Sequence, residues 1–131
     1  MFAGVFDVNL SSMKVSVLIV DDHAGFRSWA RGLLQGEGMD VVGEAADGQS
    51  AIIAARTLRP AVVLLDIRLP DMNGFDVAER IAELESPPAV VLTSSHEARD
   101  YTRRIAASPA RGFISKADLS AARLVSIAVQ A

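Results

Sequence analysis

The sequence predicts a doubly wound α/β domain, in which a parallel sheet is covered by helices on both faces. Short apolar runs recur along the chain, segments with helical spacing lie between them, and glycines or prolines separate the two kinds of segment. Parallel strands need right-handed helical crossovers, and strands buried on both faces are apolar throughout. The alternation therefore favours a parallel sheet inside two layers of helices.

Five apolar runs predict the strands of this sheet. They cover residues 15–20, 39–45, 61–66, 89–93 and 112–115. Each run is short and almost free of polar residues, which is typical of strands that are buried on both faces.

The segments between these runs predict helices that follow the strands. The first and third helices are indicated by apolar residues three or four positions apart: Phe26, Trp29, Ala30, Leu33 and Leu34, and then Phe75, Val77, Ala78, Ile81 and Leu84. Gly36, Gly48, Gly74 and Pro87 bound the helical segments. The last helix is predicted over residues 119–129, where the apolar residues form one broad face.

Length and composition favour one domain, over residues 14–130. Half of the 131 residues are hydrophobic, which is enough for a real core. Residues 1–13 resemble neither a signal peptide nor a membrane anchor and are predicted to be a disordered extension, with either Met1 or Met13 as the natural start. The net charge of -3 argues against direct nucleic acid or membrane binding, and the absence of cysteine favours a reducing cytoplasm.

Polar side chains collect where the predicted strands end. Asp21 and Asp22 follow the first strand, Asp66 ends the third, Thr93 ends the fourth and Lys116 follows the fifth. Each residue alone has an ordinary alternative role as a helix cap, turn residue or solvated charge. Ligands bind at this edge of doubly wound sheets, and crowded carboxylates need a cation. Oxygen ligands without thiolates favour a hard ion, so we expect Mg²⁺.

Four motifs resemble the signatures of one family. "VLIVDDH", "LLDIRLPDMNG", "VVLTS" and "GFISKADL" are similar, in order and spacing, to those of the receiver domain of bacterial response regulators. "DDH" and "VVGEAADG" resemble receivers that often precede a LuxR-type helix-turn-helix output domain. The resemblance covers nearly all of residues 14–129 and implies a flavodoxin-like fold, with a five-stranded parallel sheet of order 2-1-3-4-5 and five helices.

The resemblance implies covalent phosphoryl transfer and a role for each site residue. Asp66 would accept a phosphoryl group from a histidine kinase or a histidine phosphotransfer protein, giving an aspartyl phosphate. Asp22 and Asp66 would bind Mg²⁺ directly, Asp21 partly through water, and Arg68 through its backbone carbonyl. Lys116 would pair with a phosphoryl oxygen. Such a domain would be a phosphoacceptor that catalyses its own phosphorylation and slow dephosphorylation, rather than a turnover enzyme.

The same resemblance implies a conformational switch that changes a partner-binding surface. The Thr93 hydroxyl would bond to the phosphoryl group, and Phe113 would turn inward into the vacated space. An ordinary core position is the alternative for Phe113. Arg68 and Ser95 flank the expected path of the hydrolytic water, so we hypothesise that they set the lifetime of the phosphate.

Several further features bear on this site. Pro70 and Gly74 are expected to shape the loop after Asp66, with the glycine serving for its permissive backbone angles. His23 and His96 are expected to be structural or solvent-facing.

Many receivers place a cis proline after the site lysine, but Ala117 stands here, which leaves the geometry of the Lys116–Ala117 bond open. Three arginines on the predicted fourth helix form either a solvated face or a partner surface: Arg99, Arg103 and Arg104.

The sequence argues against two other functions, and a third is the main alternative. A flavodoxin-type electron carrier should have a glycine-rich phosphate loop where Asp21 and Asp22 stand. A haloacid dehalogenase-type phosphatase needs an aspartate at the position of Arg68. The serious alternative is a receiver-like interaction module that works without phosphorylation. Because no output domain is expected in this chain, we expect a stand-alone receiver acting through a partner protein or a portion of a longer regulator.

Overall fold

The computed structural model describes residues 8–9 and 14–130, and its centre is a five-stranded parallel sheet. The strands are β1 (Lys14–Val20), β2 (Asp40–Ala45), β3 (Val62–Asp66), β4 (Ala89–Ser94) and β5 (Gly112–Ser115). β1 pairs with β2 on one side and β3 on the other, and β4 and β5 follow in turn. The predicted strands and the order 2-1-3-4-5 are confirmed.

Part of the predicted extension also forms a strand. Val8–Asn9 pairs antiparallel with Lys14 and Val15 at the start of β1. The other residues of the segment 1–13 lie outside the described part of the chain, and so does the question of Met1 or Met13 as the start.

Five α-helices connect and follow the strands, as predicted. They are α1 (Ala24–Gly36), α2 (Gly48–Leu58), α3 (Gly74–Ala82), α4 (Thr102–Ala107) and α5 (Ala121–Ala128). Short 3₁₀ turns at Ala98–Tyr101 and Lys116–Asp118 precede the last two. α5 begins two residues later than predicted because the Ser120 side chain accepts a hydrogen bond from the Arg123 N–H and caps the helix. No helix in the described ranges is long and apolar enough to cross a membrane.

The sheet separates two hydrophobic clusters, because successive strand residues point to opposite faces. On one face, Val17 and Ile19 of β1 pack in a cluster with Leu34 of α1 and Leu124 of α5. On the other face, the members include Leu18, Val20, Leu65, Ile52 and Ile81, which come from β1, β3, α2 and α3. This double burial explains why the strands are apolar without alternation.

The register of the strands brings their carboxyl ends level. Asp66 pairs with Thr93, and Thr93 pairs with Ile114 on the next strand. On the other side of β1, the Asp21 N–H donates to the Ala45 carbonyl at 3.0 Å. The polar residues that end the strands therefore meet at one edge of the sheet.

Candidate functional site

A cleft of about 330 Å³ opens at the carboxyl edge of the sheet. Its lining comes from the loops after β1, β3, β4 and β5. The lining residues are Asp22, His23, Asp66, Arg68, Leu69, Pro70, Ser94, Ser95, His96 and Lys116. The structure thus collects residues from four separate parts of the sequence around one open space.

Two buried carboxylates and one ammonium meet at this cleft, where Asp66 and Lys116 line the open space and Lys116 also contacts Asp21. The side chain of Asp21 is 0% exposed and that of Asp66 is 6% exposed. Lys116 Nζ lies 2.6 Å from Asp21 Oδ2 and 3.3 Å from Asp66 Oδ2. The ammonium therefore bridges the ends of β1 and β3, and it balances one of the two buried charges.

The surroundings of the two carboxyl groups shift their pKa values in opposite directions. Burial, together with the neighbouring Asp21 carboxylate, raises the pKa of Asp66 to about 6. Burial also acts to raise the pKa of Asp21, but hydrogen bonding to Lys116 and to the His23 N–H outweighs burial, and the pKa is lowered. Burial opposes the charge on Lys116, yet the two carboxylates together raise its pKa. Asp21 is thus the more readily ionised member of the pair.

The acidic cluster has the donor set and the charge for a divalent cation. Asp21, Asp22, His23 and Asp66 each offer one ligand atom, and these atoms all lie within 4.8 Å of one another. Among the described residues, Asp21 Oδ2 is fully buried, and the cation beside it is the Lys116 ammonium at 2.6 Å. Three carboxylates face a single ammonium, so this pocket could bind Mg²⁺.

The loop after β3 folds tightly against Asp66. The Arg68 N–H donates to Asp66 Oδ1 at 3.1 Å, and Arg68 forms an isolated antiparallel bridge with Asn73. Asp71, further along the loop, accepts hydrogen bonds from the Gly48 and Gln49 N–H groups at the start of α2. The loop is therefore held both to Asp66 and to the neighbouring helix.

Gly74 is needed for space, and the explanation from backbone angles was wrong. Among the described glycines only Gly38 has a positive φ. A Cβ on Gly74 would lie 2.4 Å from the Asp66 carbonyl oxygen and 2.7 Å from the Ile67 Cα. The start of α3 can approach the backbone of Asp66 this closely only without a side chain.

Thr93 and Phe113 lie beside the cleft and do not line it. The Thr93 side chain is fully buried, and its hydroxyl donates to the Ile114 carbonyl at 2.7 Å. Phe113 is half-buried and packs against the hydrophobic cluster on the α2 and α3 face. Next to Thr93, the Ser94 hydroxyl lines the cleft and accepts a hydrogen bond from the His96 N–H.

The segment after β5 reaches the cleft without a cis bond. All peptide bonds in the described residues are trans, including Lys116–Ala117. The Ser115 hydroxyl accepts from the Ala117 N–H, and Lys116 begins a 3₁₀ turn. The ammonium therefore reaches both carboxylates from a trans backbone.

The arginines of the fourth helical region have different surroundings. Arg99 lies in the 3₁₀ turn, whereas Arg103 and Arg104 lie on α4, and all three are exposed. The Arg104 guanidinium stacks 4.3 Å from the centre of the Phe75 ring. Arg104 on α4 therefore contacts α3 through the Phe75 ring.

Sequence reasoning missed several residues at the site. The His23 side chain is 73% exposed, which agrees with the expected solvent-facing position, but its Nδ1 also lies 3.2 Å from Asp21 Oδ1 and 3.1 Å from Asp22 Oδ1. The Arg27 guanidinium donates to the Asp21 carbonyl at 2.7 Å, and the Phe26 ring lies beside Lys116. His23 adjoins the acidic pair and could have been included on that ground, whereas the contacts of Arg27 and Phe26 depend on how α1 packs.

Comparison with known proteins now identifies the family. The model of the response regulator receiver domain family matches residues 17–128. The chain belongs to the response regulator receiver domain family. It is a receiver domain of the two-component type, which agrees with the fold, the cleft and the four motifs.

Similar proteins share this receiver fold. The signal receiver domain of the NarL regulator from Mycobacterium tuberculosis is 35% identical, has a TM-score of 0.76 and aligns over 86% of this chain and 91% of its own. The CheX-CheY-BeF₃-Mg complex from Borrelia burgdorferi contains a chain that is 26% identical, with a TM-score of 0.77 and coverage of 92% and 91%.

A curated relative shares the receiver sequence and is longer. Transcriptional regulatory protein PdtaR from Mycobacterium tuberculosis is 37% identical over 100 residues, which make up 76% of this chain and 48% of PdtaR. The matched segments make up between 21% and 50% of the length of such curated relatives.

Proposed function

We propose that this receiver accepts a phosphoryl group on Asp66 from a histidine kinase or a histidine phosphotransfer protein. The observation that carries the proposal is the placement of Asp66 at the end of β3, beside a second buried carboxylate and the Lys116 ammonium. Asp66 Oδ attacks the phosphorus of a phosphohistidine. A P–O bond forms, the P–N bond breaks, and the histidine nitrogen keeps the electron pair and takes up a proton.

Asp21, Asp22 and Asp66 are proposed to hold Mg²⁺, together with the backbone carbonyl of Arg68. When bound, this ion neutralises charge on the phosphoryl oxygens. Asp21 is held in place by the His23 N–H at 2.8 Å and by Lys116, so it provides an ionised ligand without rearrangement. Lys116 pairs with a phosphoryl oxygen from the opposite side, and Asp66 provides the nucleophile once it has lost its proton.

Thr93 and Phe113 are proposed to transmit the structural effect of phosphorylation from Asp66 to the surface of the domain. The hydrogen bond from Thr93 to the Ile114 carbonyl would have to break before the hydroxyl could bond to a phosphoryl oxygen. A bond to a neutral acceptor contributes about 1 kcal/mol net, and one to a charged group contributes about 1.5–3 kcal/mol, so phosphorylation favours the exchange. Phe113 then fills the space that Thr93 leaves, and the exposed surface of α4 and β5 changes in a way that a partner protein can recognise.

Arg68 and Ser95 are proposed to set the lifetime of the phosphate, because both line the cleft around Asp66. The dephosphorylation rates of Arg68→Ala and Ser95→Ala are to be compared with the parent. Rates unchanged in both variants would contradict this role.

The partners and the location follow from the phosphoryl donor. A kinase or phosphotransfer protein would dock over the open cleft, and an output domain or partner protein would read the switched surface. A cytoplasmic location suits this chemistry, because phosphoryl donors of this type are made there from ATP.

Intact-protein mass tests the proposal directly. Incubation with acetyl phosphate and Mg²⁺ is expected to add one phosphate-sized increment, which is lost in Asp66→Asn and in a magnesium-free sample. Asp118→Asn is the matched control, since Asp118 lies two residues after Lys116 but outside the cleft lining, and it is expected to gain the increment. A folded parent that gains no mass and binds no beryllofluoride would overturn the proposal and favour a module that works without phosphorylation.

A further inference from the structure

An aromatic ring from α1 provides a third contact for the site lysine. Lys116 Nζ lies 4.5 Å from the centre of the Phe26 ring, in addition to its contacts with Asp21 and Asp66. This distance is within the range of a cation–π interaction. The three contacts come from the end of β1, the end of β3 and the first turn of α1.

The position of Phe26 is determined by its neighbours on α1. The next residue, Arg27, donates to the Asp21 carbonyl at 2.7 Å and to Glu44 Oε1 at 3.0 Å, which ties the start of the helix to β1 and β2. Phe26 is half-buried against the cluster that contains α5 residues, and its ring contacts Trp29 at 5.8 Å between centroids. The ring that faces Lys116 is therefore fixed from several sides.

A lysine at a phosphoryl site has to be held in place while its N–H donors stay free to bond to the phosphoryl oxygens. Its side chain has four rotatable bonds and loses about 2 kcal/mol of rotamer entropy when it is ordered. A ring face attracts an ammonium but has no lone pair to take one of its N–H donors. The donors therefore stay available for the carboxylates and for an incoming phosphoryl oxygen.

We infer that Phe26 is a positioning residue for Lys116, whose ring face holds the ammonium against Asp66 ready to meet the phosphoryl group. The inference rests on the proposed phosphorylation of Asp66. Phe26 is not among the residues that line the cleft, so it acts only through Lys116.

The first test compares variants that keep or remove the aromatic face. Phe26→Leu is expected to lower the rate of phosphorylation by phosphoramidate about fivefold, the fold-change expected for the loss of a part-buried cation–π contact. Phe26→Tyr retains the ring and is expected to restore the parent rate. The control is Ile53→Ala, which shortens an exposed apolar side chain on α2 outside the cleft lining and is expected to react like the parent. Equal rates for Phe26→Leu and the parent would overturn the inference.

The second test changes the electrons of the ring and leaves its shape nearly constant. Replacing Phe26 by phenylalanines with one, two and three ring fluorines is expected to lower the logarithm of the phosphorylation rate stepwise, because fluorine withdraws charge from the ring face. Thermal unfolding of the same proteins checks that each variant is folded at the temperature of the rate measurement. Rates that do not change with fluorination would indicate a role in packing alone and would contradict the inference.

The third test does not depend on phosphorylation. The ε-methylene protons of Lys116 are expected to show an upfield ring-current shift in the parent and in Phe26→Tyr, and to lose it in Phe26→Leu. If the parent accepts no phosphoryl group, the proposed function fails, and this shift still decides whether the ring holds the ammonium. A parent without the shift would overturn the inference even if Asp66 is phosphorylated.

Discussion

The Asp66 carboxyl group lies in surroundings that oppose its ionisation. It is 6% exposed, next to a second carboxylate, and its pKa is raised to about 6 by burial and then by Asp21. The ordinary value of 3.8 applies in the unfolded chain. Because the folded state keeps the proton over a range in which the unfolded state has lost it, ionised Asp66 destabilises the fold.

Replacing this charge is expected to stabilise the metal-free protein. Between pH 4 and pH 6 the folded parent binds the extra proton, so its free energy of unfolding falls as the pH rises through this window and then levels off. Asp66→Asn cannot ionise at this position and so avoids this loss of stability. At pH 7.5 in EDTA the variant is expected to be about 1–3 kcal/mol more stable than the parent. Urea unfolding at pH 4 and pH 7.5 measures the difference, which should nearly vanish at pH 4. A parent as stable as the variant at pH 7.5 would contradict the burial argument.

Gly74 shows how closely the backbone packs at the same residue. Gly74→Ala forces a methyl group to within 2.4 Å of the Asp66 carbonyl oxygen and is expected to cost about 2–3 kcal/mol. The matched control is Gly32→Ala on the exposed side of α1, where a Cβ meets nothing within 4 Å. That variant is expected to gain about 1 kcal/mol from helix propensity. Denaturant unfolding of the two variants measures this contrast, and a loss in both would point to a general intolerance of alanine.

At the level of whole elements, one side chain joins the first and last helices. Glu37 follows the end of α1, and its Oε1 accepts a hydrogen bond from the Ala121 N–H at 2.7 Å. Ala121 is the first residue of α5, so the carboxylate satisfies a backbone donor that the helix itself cannot bond, and its charge suits the positive end of the helix.

Removing this link is expected to loosen the start of α5. Glu37→Ala should destabilise the domain by about 1 kcal/mol and speed hydrogen exchange at the Ala121 amide, because that donor loses its acceptor. Glu37→Gln keeps an acceptor oxygen, so its free energy of unfolding should fall by about half as much as that of Glu37→Ala. The control is Glu85→Ala, an exposed glutamate outside these helices. Equal exchange at Ala121 in Glu37→Ala and Glu85→Ala would argue against the link.

For the whole molecule, the imbalance of charge at the cleft is expected to couple folding to the proposed metal binding. Three carboxylates whose ligand atoms lie within 4.8 Å belong to the folded state alone, since Asp22 and Asp66 are brought together by the sheet. A cation that binds this arrangement stabilises the fold by mass action. The repulsion among the carboxylates decreases at the same time.

Magnesium is therefore expected to raise the melting temperature of the receiver. At a free concentration about ten times the Kd, the gain is about 1.4 kcal/mol, and the Tm rises by about 3–5 °C. Asp22→Asn should lose most of this rise, whereas Glu79→Gln on the exposed side of α3 should retain it. Thermal unfolding with and without Mg²⁺ measures the effect. A rise of equal size in both variants would indicate general ionic screening.

Local pattern was sufficient for the elements of this fold. Each strand is an apolar run and each helix has its own spacing and boundaries, so the strands and the five helices are confirmed within a few residues. The polar residues that end the strands could also be assigned to one edge, because parallel strands place their carboxyl ends together. The roles of Asp66, Lys116 and their neighbours in phosphoryl transfer stay predictions.

Side-chain direction and close packing were decided only by the tertiary structure. Lys116 lies fifty residues beyond Asp66, and its contacts with Asp21 and Phe26 depend on how β5 and α1 meet at the sheet edge. The hydrogen bond from the Thr93 hydroxyl to the Ile114 carbonyl also depends on the tertiary structure. So does the close backbone packing that leaves no room for a side chain at Gly74. The sequence by itself determined that the carboxylates of Asp21 and Asp66 and the Lys116 ammonium reach one edge of the sheet, because strand ends follow from local periodicity. Their mutual distances depend on contacts between residues far apart in the chain, which no local pattern encodes.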